Sequence, residues 1–449
     1  MNAYIQEVIE KVKQRDPNEL EFHQTIEEVL SSLEVVIDRH PEYQKMGLLE
    51  RMVEPERVIS FRVVWTDDAG QGQVNRGYRV QFNSAIGPYK GGLRFHPSVN
   101  LSIMKFLGFE QTLKNSLTTL PMGGGKGGSD FDPRGKSDGE IMRFCQAYMT
   151  ELFRHIGPDV DVPAGDIGVS GKEIGYLFGQ YKRIRGAYEP AVLTGKGLSY
   201  GGSLIRPEAT GFGATYYVRE VFKHENDGFD GKTFALSGFG NVSWGAVTKI
   251  TELGGKVITI SGPDGYVYDP DGISTPEKIK YMTVMRASGR DKVQDYADKF
   301  GVEFFPKQKP WGVKADVVMP CATQNEIGLK EAEQIVANGT KYYIEVSNMP
   351  TTNEALAYLM KQPGMIIAPS KAVNAGGVST SGLEMSQNSL RLSWSEEEVD
   401  DRLKVIMKGI HDASMKAAEE YGLGYNLVAG ANIAGFKKVA EAMIAQGMV

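Results

Sequence analysis

Lys126 lies in the stretch LTTLPMGGGKGGSD, residues 117–130, where five glycines surround it. A phosphate-binding P-loop is excluded by the spacing, because that motif reads G-x-x-x-x-G-K and continues with Ser or Thr. Here Leu120 stands five residues before Gly125, and Gly127 follows the lysine. Two interpretations fit this glycine-rich composition: a flexible surface loop, or a closely packed site that holds the Lys126 side chain as a reactive amine.

Two further lysines, Lys90 in GPYKGGLRF and Lys114 in EQTLKNSL, precede Lys126. We expect Lys90 and Lys126 to lie in glycine-flanked loops, and Lys114 to lie on a helix that carries Gln111 on the same face. Solvated surface lysines are the ordinary interpretation of such residues. The alternative is a cationic pocket for a substrate with two carboxylates, since an ammonium group suits a single carboxylate oxygen.

A lysine that transfers protons near neutral pH needs a pKa below its ordinary value of about 10.4. Burial and neighbouring cations both lower that pKa. A carboxylate is needed for the second proton, and DVPAGDIGVSGKEIG offers Asp161 and Asp166. We prefer Asp166 because its small neighbours leave room for a substrate. It fits equally well as the cap of a helix that begins near Ser170.

The stretch GFGNVS lies between a predicted strand and a predicted helix, which is typical of a dinucleotide-binding turn. Gly238 allows the tight turn, and Gly240 lets the backbone approach a pyrophosphate at the helix N-terminus. Ser243 replaces the third glycine of the pattern and is small enough for close packing. Asn241 either caps the helix or contacts the cofactor. A turn whose glycines serve geometry alone is the alternative.

Asp264 is the first acidic residue after the next predicted strand and is the candidate for the ribose hydroxyls, although it also fits a plain PDG turn. Lys278 is the only Lys or Arg between Ser261 and Ile279. A 2′-phosphate requires a nearby cation, so we expect NAD as cofactor rather than NADP. NADP would be compatible with the sequence if the basic residues of MRASGRDK fold back.

Hydrophobic periodicity predicts the elements that position these residues. The N-terminus, FHQTIEEVLSSLEVVI and NLSIMKFLGFEQTLKNSL are typical of helices, and RVISFRVVW and NRGYRVQF of strands. In the second half, helices alternate with the short apolar strands TFALS, VITIS, DVVMP, YYIEVS and MIIAP. This alternation predicts a parallel, doubly wound sheet. The last segment, NIAGFKKVAEAMIAQG, predicts an amphipathic helix.

Composition narrows the class of protein. A chain of 449 residues is expected to form two or three domains, and a net charge of −6 argues against nucleic-acid binding as its main role. The N-terminus lacks an apolar signal segment, and no apolar run reaches 18 residues, so we expect a cytoplasmic protein without a membrane partner. Cys145 and Cys321 are expected to be buried thiols. The six histidines lack metal-type spacing, which predicts no metal site.

Several segments resemble the glutamate, leucine, phenylalanine and valine dehydrogenase family, and within it the bacterial hexameric glutamate dehydrogenases. They are LPMGGGKGG, YRVQFNSAIGPYKGGLRFHPSVN, DVPAGDIGVSGKEIGYLFGQY, RPEATGFG, PCATQNEI, SNMPTTNEA and KAVNAGGVSTSGLEMSQN. The similarity runs in order over essentially the whole chain. It implies an α/β fold with a substrate and oligomerisation domain over residues 1–201 and a Rossmann-type dinucleotide-binding domain over 202–427. A C-terminal helix, 428–449, would return to the first domain, a cleft would close between the domains, and the protein would be a homohexamer.

The resemblance also implies residue roles. Lys90 and Ser381 would hold the side-chain carboxylate of glutamate. Gln111, Lys114 and the backbone at Gly165 would position the α-carboxylate and the reacting carbon. Lys126 would activate water or polarise the carbonyl, and Asp166 would shuttle the amine proton. Thr210, Asn241 and Asn374 would contact the nicotinamide cofactor.

The reaction that the resemblance implies converts L-glutamate, NAD⁺ and water reversibly into 2-oxoglutarate, ammonium and NADH. Relatives acting on apolar amino acids carry an apolar residue where Lys90 stands. A cationic Lys90 favours a dicarboxylate, because a buried unpaired charge is costly. A non-enzymatic nucleotide sensor or scaffold on the same fold would have no reason to retain Lys126 with Asp166.

Overall fold

The structure of the chain, a computed structural model, describes residues 2–448. These residues form two compact units. Unit 1 comprises the residues up to Leu204, Val378–Val399 and those from Asn432 onward, and unit 2 comprises Ile205–Gly377 and Asp400–Ala431. The first boundary lies close to the expected position near 201. The assignment of all of 202–427 to one domain differs from the structure, because Val378–Val399 belongs to unit 1, where Glu384 is bound to Gly195.

Unit 1 contains a helical N-terminal region and a mixed five-stranded sheet with helices. Its first helices are α1 (Ala3–Arg15), α2 (Leu20–Ser32), α3 (Glu34–Ile37), α4 (Glu42–Lys45), α5 (Leu48–Val53), α6 (Leu101–Leu117), α7 (Asp138–Leu152) and α8 (Gly171–Arg185). Its strands are β1 (Arg57–Thr66), β2 (Gly72–Asn83), β3 (Tyr89–Phe95), β4 (Gly124–Ser129) and β5 (Asp161–Gly165), in the order β1-β2-β4-β3-β5. β3 is parallel to both of its neighbours, whereas β2 is antiparallel to β1 and β4.

The glycine-rich segment is a buried strand, β4, and Lys90 lies on β3, so the expectation that Lys90 and Lys126 occupy loops was wrong. Close packing explains the glycines. A Cβ atom at Gly124 would lie 1.9 Å from Oγ1 of Thr112 on α6, and one at Gly91 would lie 1.6 Å from the Gly125 carbonyl oxygen. Any larger residue at either position would push neighbouring elements apart.

Unit 2 contains a seven-stranded sheet in the order β12-β11-β10-β6-β7-β8-β9. Its elements before the last helices are α9 (Ala209–His224), β6 (Thr233–Leu236), α10 (Asn241–Glu252), β7 (Lys256–Gly262), β8 (Gly265–Tyr268), α11 (Pro276–Ala287), α12 (Gln294–Phe300), β9 (Glu303–Pro306), β10 (Val317–Met319), α13 (Leu329–Ala337), β11 (Tyr342–Ile344), α14 (Asn353–Leu359), β12 (Ile366–Ala368) and α15 (Ser370–Val373). β6, β7, β10, β11 and β12 are parallel, which confirms the predicted sheet. The strand order reverses beside β6, the place where such sheets bind ligands.

The chain ends with α16 (Gly376–Leu390), α17 (Glu396–Glu420) and α18 (Leu427–Ala445). Most of α18 belongs to unit 1, and the Gly435 carbonyl accepts a 3.0 Å hydrogen bond from the Ser116 hydroxyl. Cys145 and Cys321 are buried free thiols, as predicted. No helix within residues 2–448 is both long enough and apolar enough to cross a membrane.

Candidate active site

Lys126 and Asp166 form an ion pair in unit 1. Lys126 lies in the middle of β4, and Asp166 directly follows β5. The Lys126 Nζ lies 3.1 Å from Asp166 Oδ1, and the Arg94 Nε donates to Asp166 Oδ2 at 2.7 Å. Lys126 is almost completely buried, and Asp166 keeps about a fifth of its side-chain surface exposed. The Asp166 carboxylate therefore binds both Lys126 and Arg94 and remains partly accessible to solvent.

The surroundings shift the protonation equilibria of this pair. Burial lowers the pKa of the Lys126 amine, an effect that the Asp166 charge opposes and the Arg94 charge strengthens. Burial also tends to raise the pKa of the Asp166 carboxyl, but the charges of Lys126 and Arg94 outweigh it and hold that pKa at about 2. Asp166 is therefore ionised at neutral pH, and Lys126 releases its proton more readily than an exposed lysine.

Gly92 on β3 packs closely against the pair, and its position leaves no room for a side chain. A Cβ atom at this position would lie 2.9 Å from both the Gly165 carbonyl oxygen and the Asp166 Cβ, and 3.3 Å from the Lys126 Nζ. Gly165, Lys126 and Asp166 thus meet at one point. The alternative role of Asp166 as a helix cap was wrong, because α8 begins at Gly171 and its N-cap is Ser170.

Lys90 lies two residues before Gly92 on β3, and its side chain is 1% exposed. Its Nζ donates to the Thr194 hydroxyl at 2.8 Å and to the Val162 carbonyl of β5 at 3.0 Å. Alternate residues of a strand face the same side of a sheet. Lys90 therefore points to the same side of the sheet as Gly92, and its buried ammonium is hydrogen-bonded to Thr194 and Val162.

Gln111 and Lys114 are half-buried on α6 and three residues apart, so they lie on one face of the helix. The Gln111 amide donates to Asn115 Oδ1 at 2.6 Å. The Asn115 amide in turn donates to the carbonyl oxygens of Lys90 and Gly123, at 3.0 and 2.5 Å. This face of α6 is thereby fixed against β3 and the turn before β4.

Ser381 is buried on α16, within the part of that helix that belongs to unit 1. One residue later, a Cβ atom at Gly382 would lie 2.6 Å from the Leu120 side chain, which precedes β4. Glu384, one turn further along, accepts a hydrogen bond from the Gly195 amide, next to Thr194. These contacts hold α16, which carries Ser381, against Leu120 before β4 and against the segment that contains Thr194, the hydrogen-bond partner of Lys90.

Arg94, Thr194 and Asn115 complete this cluster, and none of the three was predicted from the sequence. Arg94 had a usable signal, because Lys90, Gly92 and Arg94 alternate along one strand and therefore share a face. The second candidate carboxylate, Asp161, is fully buried and paired with Arg79, with Arg79 Nε donating to Asp161 Oδ2 at 2.9 Å. Asp161 therefore joins β5 to β2 and is not available to a ligand.

Unit 2 carries the predicted dinucleotide turn between β6 and α10. Gly238 has a φ of +77°, a conformation that favours glycine, and Gly240 is exposed with open space where a side chain would stand. The Ser243 hydroxyl donates to the Ser237 carbonyl at 2.8 Å, so this third-glycine substitute closes the turn. Asn241 is the first residue of α10, and the N-cap is Gly240, so Asn241 is not the cap.

Asp264 lies in the turn between β7 and β8, and its carboxylate accepts the amides of Val293 and Gln294 at 3.0 and 3.1 Å. These bonds leave acceptor capacity for ribose hydroxyls. They also bring the segment that ends in Lys292 next to Asp264. The backbone of the MRASGRDK segment therefore comes close to Asp264, which is the arrangement under which the sequence remains compatible with NADP.

Two further predicted cofactor residues lie in unit 2. Thr210 is half-buried in the first turn of α9, and its hydroxyl would lie 2.7 Å from a Cβ atom at Gly377. Asn374 is buried, and its amide donates to Asn348 Oδ1 at 2.8 Å, whereas its own Oδ1 has no hydrogen-bond partner. A buried polar atom of this kind suits a bound ligand with donor groups, such as a carboxamide. These residues fit a dinucleotide cofactor.

Within residues 2–448 no group of three or more His, Cys, Asp or Glu side chains is arranged to hold a metal ion. The site chemistry of the described residues thus consists of ammonium, guanidinium, carboxylate, amide and hydroxyl groups.

Comparisons with known proteins identify the family and several relatives of the chain. Residues 201–447 match the model of the Glutamate/Leucine/Phenylalanine/Valine dehydrogenase family, and residues 55–183 match the Glu/Leu/Phe/Val dehydrogenase dimerisation domain. The chain is 69% identical to the NAD-specific glutamate dehydrogenase of Clostridium symbiosum over the full length of both. It is 56% identical to the NADP-specific glutamate dehydrogenase of Escherichia coli K12 over 99% of each. A solved glutamate dehydrogenase structure superposes with a TM-score of 0.98 at 70% identity, covering 99% of both chains.

Proposed function

The chain belongs to the glutamate/leucine/phenylalanine/valine dehydrogenase family, and we propose that it catalyses the reversible oxidative deamination of L-glutamate to 2-oxoglutarate and ammonium, with NAD as cofactor. The observation that carries the choice of substrate is the buried ammonium of Lys90. Hydrogen bonds between an ammonium and a carboxylate are about twice as strong as those between neutral groups. A substrate carboxylate near this buried ammonium would gain such a bond, whereas an apolar side chain would gain none.

In this proposal two groups of residues in unit 1 bind the two carboxylates. Lys90 and Ser381 hold the side-chain carboxylate, and Thr194 orients Lys90 through its 2.8 Å hydrogen bond. Lys114, Gln111 and the Gly165 backbone position the α-carboxylate and the reacting carbon. The α-carbon would lie near Lys126 and Asp166, which are paired at 3.1 Å, and the close approach of Gly92 to Gly165, Lys126 and Asp166 supports this placement because it brings the three residues together.

Lys126 and Asp166 carry out the proton transfers of the proposed reaction. Asp166 accepts a proton from the substrate amine, and Lys126 takes a proton from the water that adds to the imino carbon. Asp166 then returns a proton as ammonia leaves. A carboxyl with a pKa of about 2 is a weak base, but an entering dicarboxylate adds negative charge that raises the pKa of the Asp166 carboxyl.

Residues of unit 2 would hold the cofactor, which supplies the hydride acceptor when bound. Gly238, Gly240 and the N-terminus of α10 would receive the pyrophosphate, and Asp264 the ribose hydroxyls. Thr210, Asn241 and Asn374 would contact the nicotinamide half. The unpartnered Oδ1 of Asn374 supports this assignment.

NAD is proposed over NADP because a 69% identical relative is NAD-specific, whereas the NADP-specific relatives are 56% identical. Asp264 supports the same choice, since its charge would repel a 2′-phosphate. Lys292 opposes this choice, because the segment that carries its positive charge lies near Asp264 and a cation there would favour a 2′-phosphate. We also propose a homohexamer, by resemblance to the bacterial hexameric enzymes.

The direct test follows the absorbance of reduced cofactor when the purified protein is mixed with L-glutamate and either NAD⁺ or NADP⁺ between about pH 7 and 9. We expect turnover with both, and a larger kcat/KM with NAD⁺. Equal or reversed values would contradict the cofactor preference alone. No reduced cofactor under any of these conditions would contradict the enzymatic proposal and favour a nucleotide-sensing or scaffold role.

A further inference from the structure

A second buried ion pair lies in unit 1, outside the residues that the proposed reaction uses. The Lys196 Nζ lies 2.7 Å from Glu384 Oε1, and both side chains are completely buried. Lys196 follows the segment that contains Thr194, and Glu384 lies on α16. The pair therefore joins two elements that each carry a residue of the proposed side-chain pocket.

Both carboxylate oxygens of Glu384 accept hydrogen bonds from residues 195 and 196. Its Oε2 accepts the Gly195 amide at 3.0 Å, and its Oε1 accepts the Lys196 amide at 3.3 Å in addition to the Lys196 ammonium. The Lys196 ammonium also donates to the Leu193 carbonyl oxygen. The backbone on both sides of Thr194 is therefore tied to this ion pair.

Thr194 is held between two elements as a result. Its amide donates to the Pro163 carbonyl of β5 at 3.0 Å, and its hydroxyl accepts the 2.8 Å hydrogen bond from Lys90. Ser381 lies three residues before Glu384, on the same face of α16. The ion pair is thus the physical connection between the Lys90–Thr194 half of the pocket and the Ser381 half.

Stability alone is a poor explanation for such a pair. Replacing a buried ion pair with apolar residues of similar volume is often neutral or even stabilising, because removing two charges from water is costly. The pair does, however, impose a definite geometry, since a displaced charge would lose several hydrogen bonds at once. Because the pair lies beside Thr194 and Ser381, this geometry fixes the relative positions of those two residues.

We infer that Lys196 and Glu384 are positioning residues that set the spacing between Lys90 and Ser381, and so select substrates that end in a carboxylate. This inference rests on the proposed function. Neither residue touches the substrate; both act through Thr194 and α16. Loss of the pair should weaken recognition of the side-chain carboxylate specifically, and leave the handling of the amine and α-carboxylate intact.

The test compares L-glutamate with L-norvaline, which has the same carbon chain but ends in a methyl group. The variants are Glu384→Gln, which keeps the shape and loses the charge, and Lys196→Met with Glu384→Gln, which leaves no buried charge unpaired. Small misplacements of substrate-binding groups cost about 100-fold in rate. We expect kcat/KM for glutamate to fall by about that factor, mainly through KM, and the glutamate-to-norvaline ratio to fall with it.

A matched control is Lys105→Met with Asp16→Asn and Glu19→Gln, which removes another largely buried ionic cluster of unit 1, with 2.8 and 2.6 Å contacts, away from the pocket. This control should leave the glutamate-to-norvaline ratio unchanged. If the single variant does not fold, the double variant and the shortened Glu384→Asp serve instead, with melting temperature and circular dichroism reporting folding.

An unchanged ratio in folded variants, whether both substrates decline equally or neither does, would overturn the positioning role. The wild-type protein separates this outcome from failure of the proposed function. If the wild type oxidises glutamate faster than norvaline while the variants keep that preference, only the positioning inference fails. If the wild type does not oxidise glutamate, the proposed function fails first.

Discussion

The Lys90→Leu substitution tests the substrate pocket most directly. Lys90 is 1% exposed, and its ammonium is bound to Thr194 and Val162. Truncating one partner of a buried charge pair costs about 2–5 kcal/mol. At about 1.4 kcal/mol for each factor of ten, kcat/KM for L-glutamate should fall by about 30- to 5,000-fold.

Apolar substrates should respond in the opposite direction. A methyl-ended side chain gains no polar contact from the Lys90 ammonium and would displace water from it, whereas a leucine at position 90 offers an apolar contact. We expect kcat/KM for L-norvaline to rise by about tenfold or more. The fold should persist, because the lost hydrogen bonds of about 1–3 kcal/mol are offset by removal of a buried charge.

Initial rates with both amino acids at saturating NAD⁺, together with melting temperatures, give the required comparison. Lys105→Leu is the matched control, since Lys105 is also a buried lysine of unit 1 but pairs with Asp16 and Glu19. It should reduce stability without changing substrate preference. An unchanged kcat/KM for glutamate in folded Lys90→Leu would refute the pocket as described.

Five further predictions concern the proton-transfer pair and the cofactor-binding residues. Because burial lowers the pKa of Lys126, its neutral form accumulates at lower pH than in an ordinary lysine, so kcat/KM for glutamate should rise with pH and level off early. The same amine should react unusually fast with an aldehyde reagent, with protection by substrate plus cofactor; bulk-like reactivity would contradict the lowered pKa. Asp166→Asn should reduce kcat by about 10²–10⁴-fold. Because the pKa of the Asp166 carboxyl lies at about 2, the difference in free energy of unfolding between this variant and wild type, measured in urea, should stay constant from about pH 5 to 8. It should vanish only as the pH falls through about 2. Asp264→Asn keeps an acceptor for the neighbouring amides and removes the charge, so the NADP-to-NAD ratio of kcat/KM should rise several-fold; a constant ratio would show that Asp264 does not face the ribose. Gly238→Ala forces an alanine to φ +77° with its Cβ 2.8 Å from the Ser243 hydroxyl, and should raise KM for NAD⁺ while leaving KM for glutamate nearly unchanged.

Local patterning in the sequence was sufficient for most elements. Apolar residues at helical spacing predicted α1 and α6, and short β-branched runs predicted β6, β7, β10, β11 and β12, because each pattern reflects burial of one face or of a whole strand. The turn at Gly238 was also predictable, since a glycine pattern between a strand and a helix has few other uses.

The sequence by itself also identified Lys90, Gln111, Lys114, Lys126 and Asp166 as the residues whose chemistry suits a dicarboxylate and an amine. It could not show that Lys126 lies on a strand, because glycine has a low strand propensity and only the close approach of α6 and β3 makes the glycines necessary. Nor could it reveal that Arg94 shares Asp166, that Lys196 and Glu384 join Thr194 to α16, or that Lys292 lies beside Asp264. Those features depend on contacts between residues far apart in the chain. Such contacts leave no local pattern, so only the tertiary structure decided them.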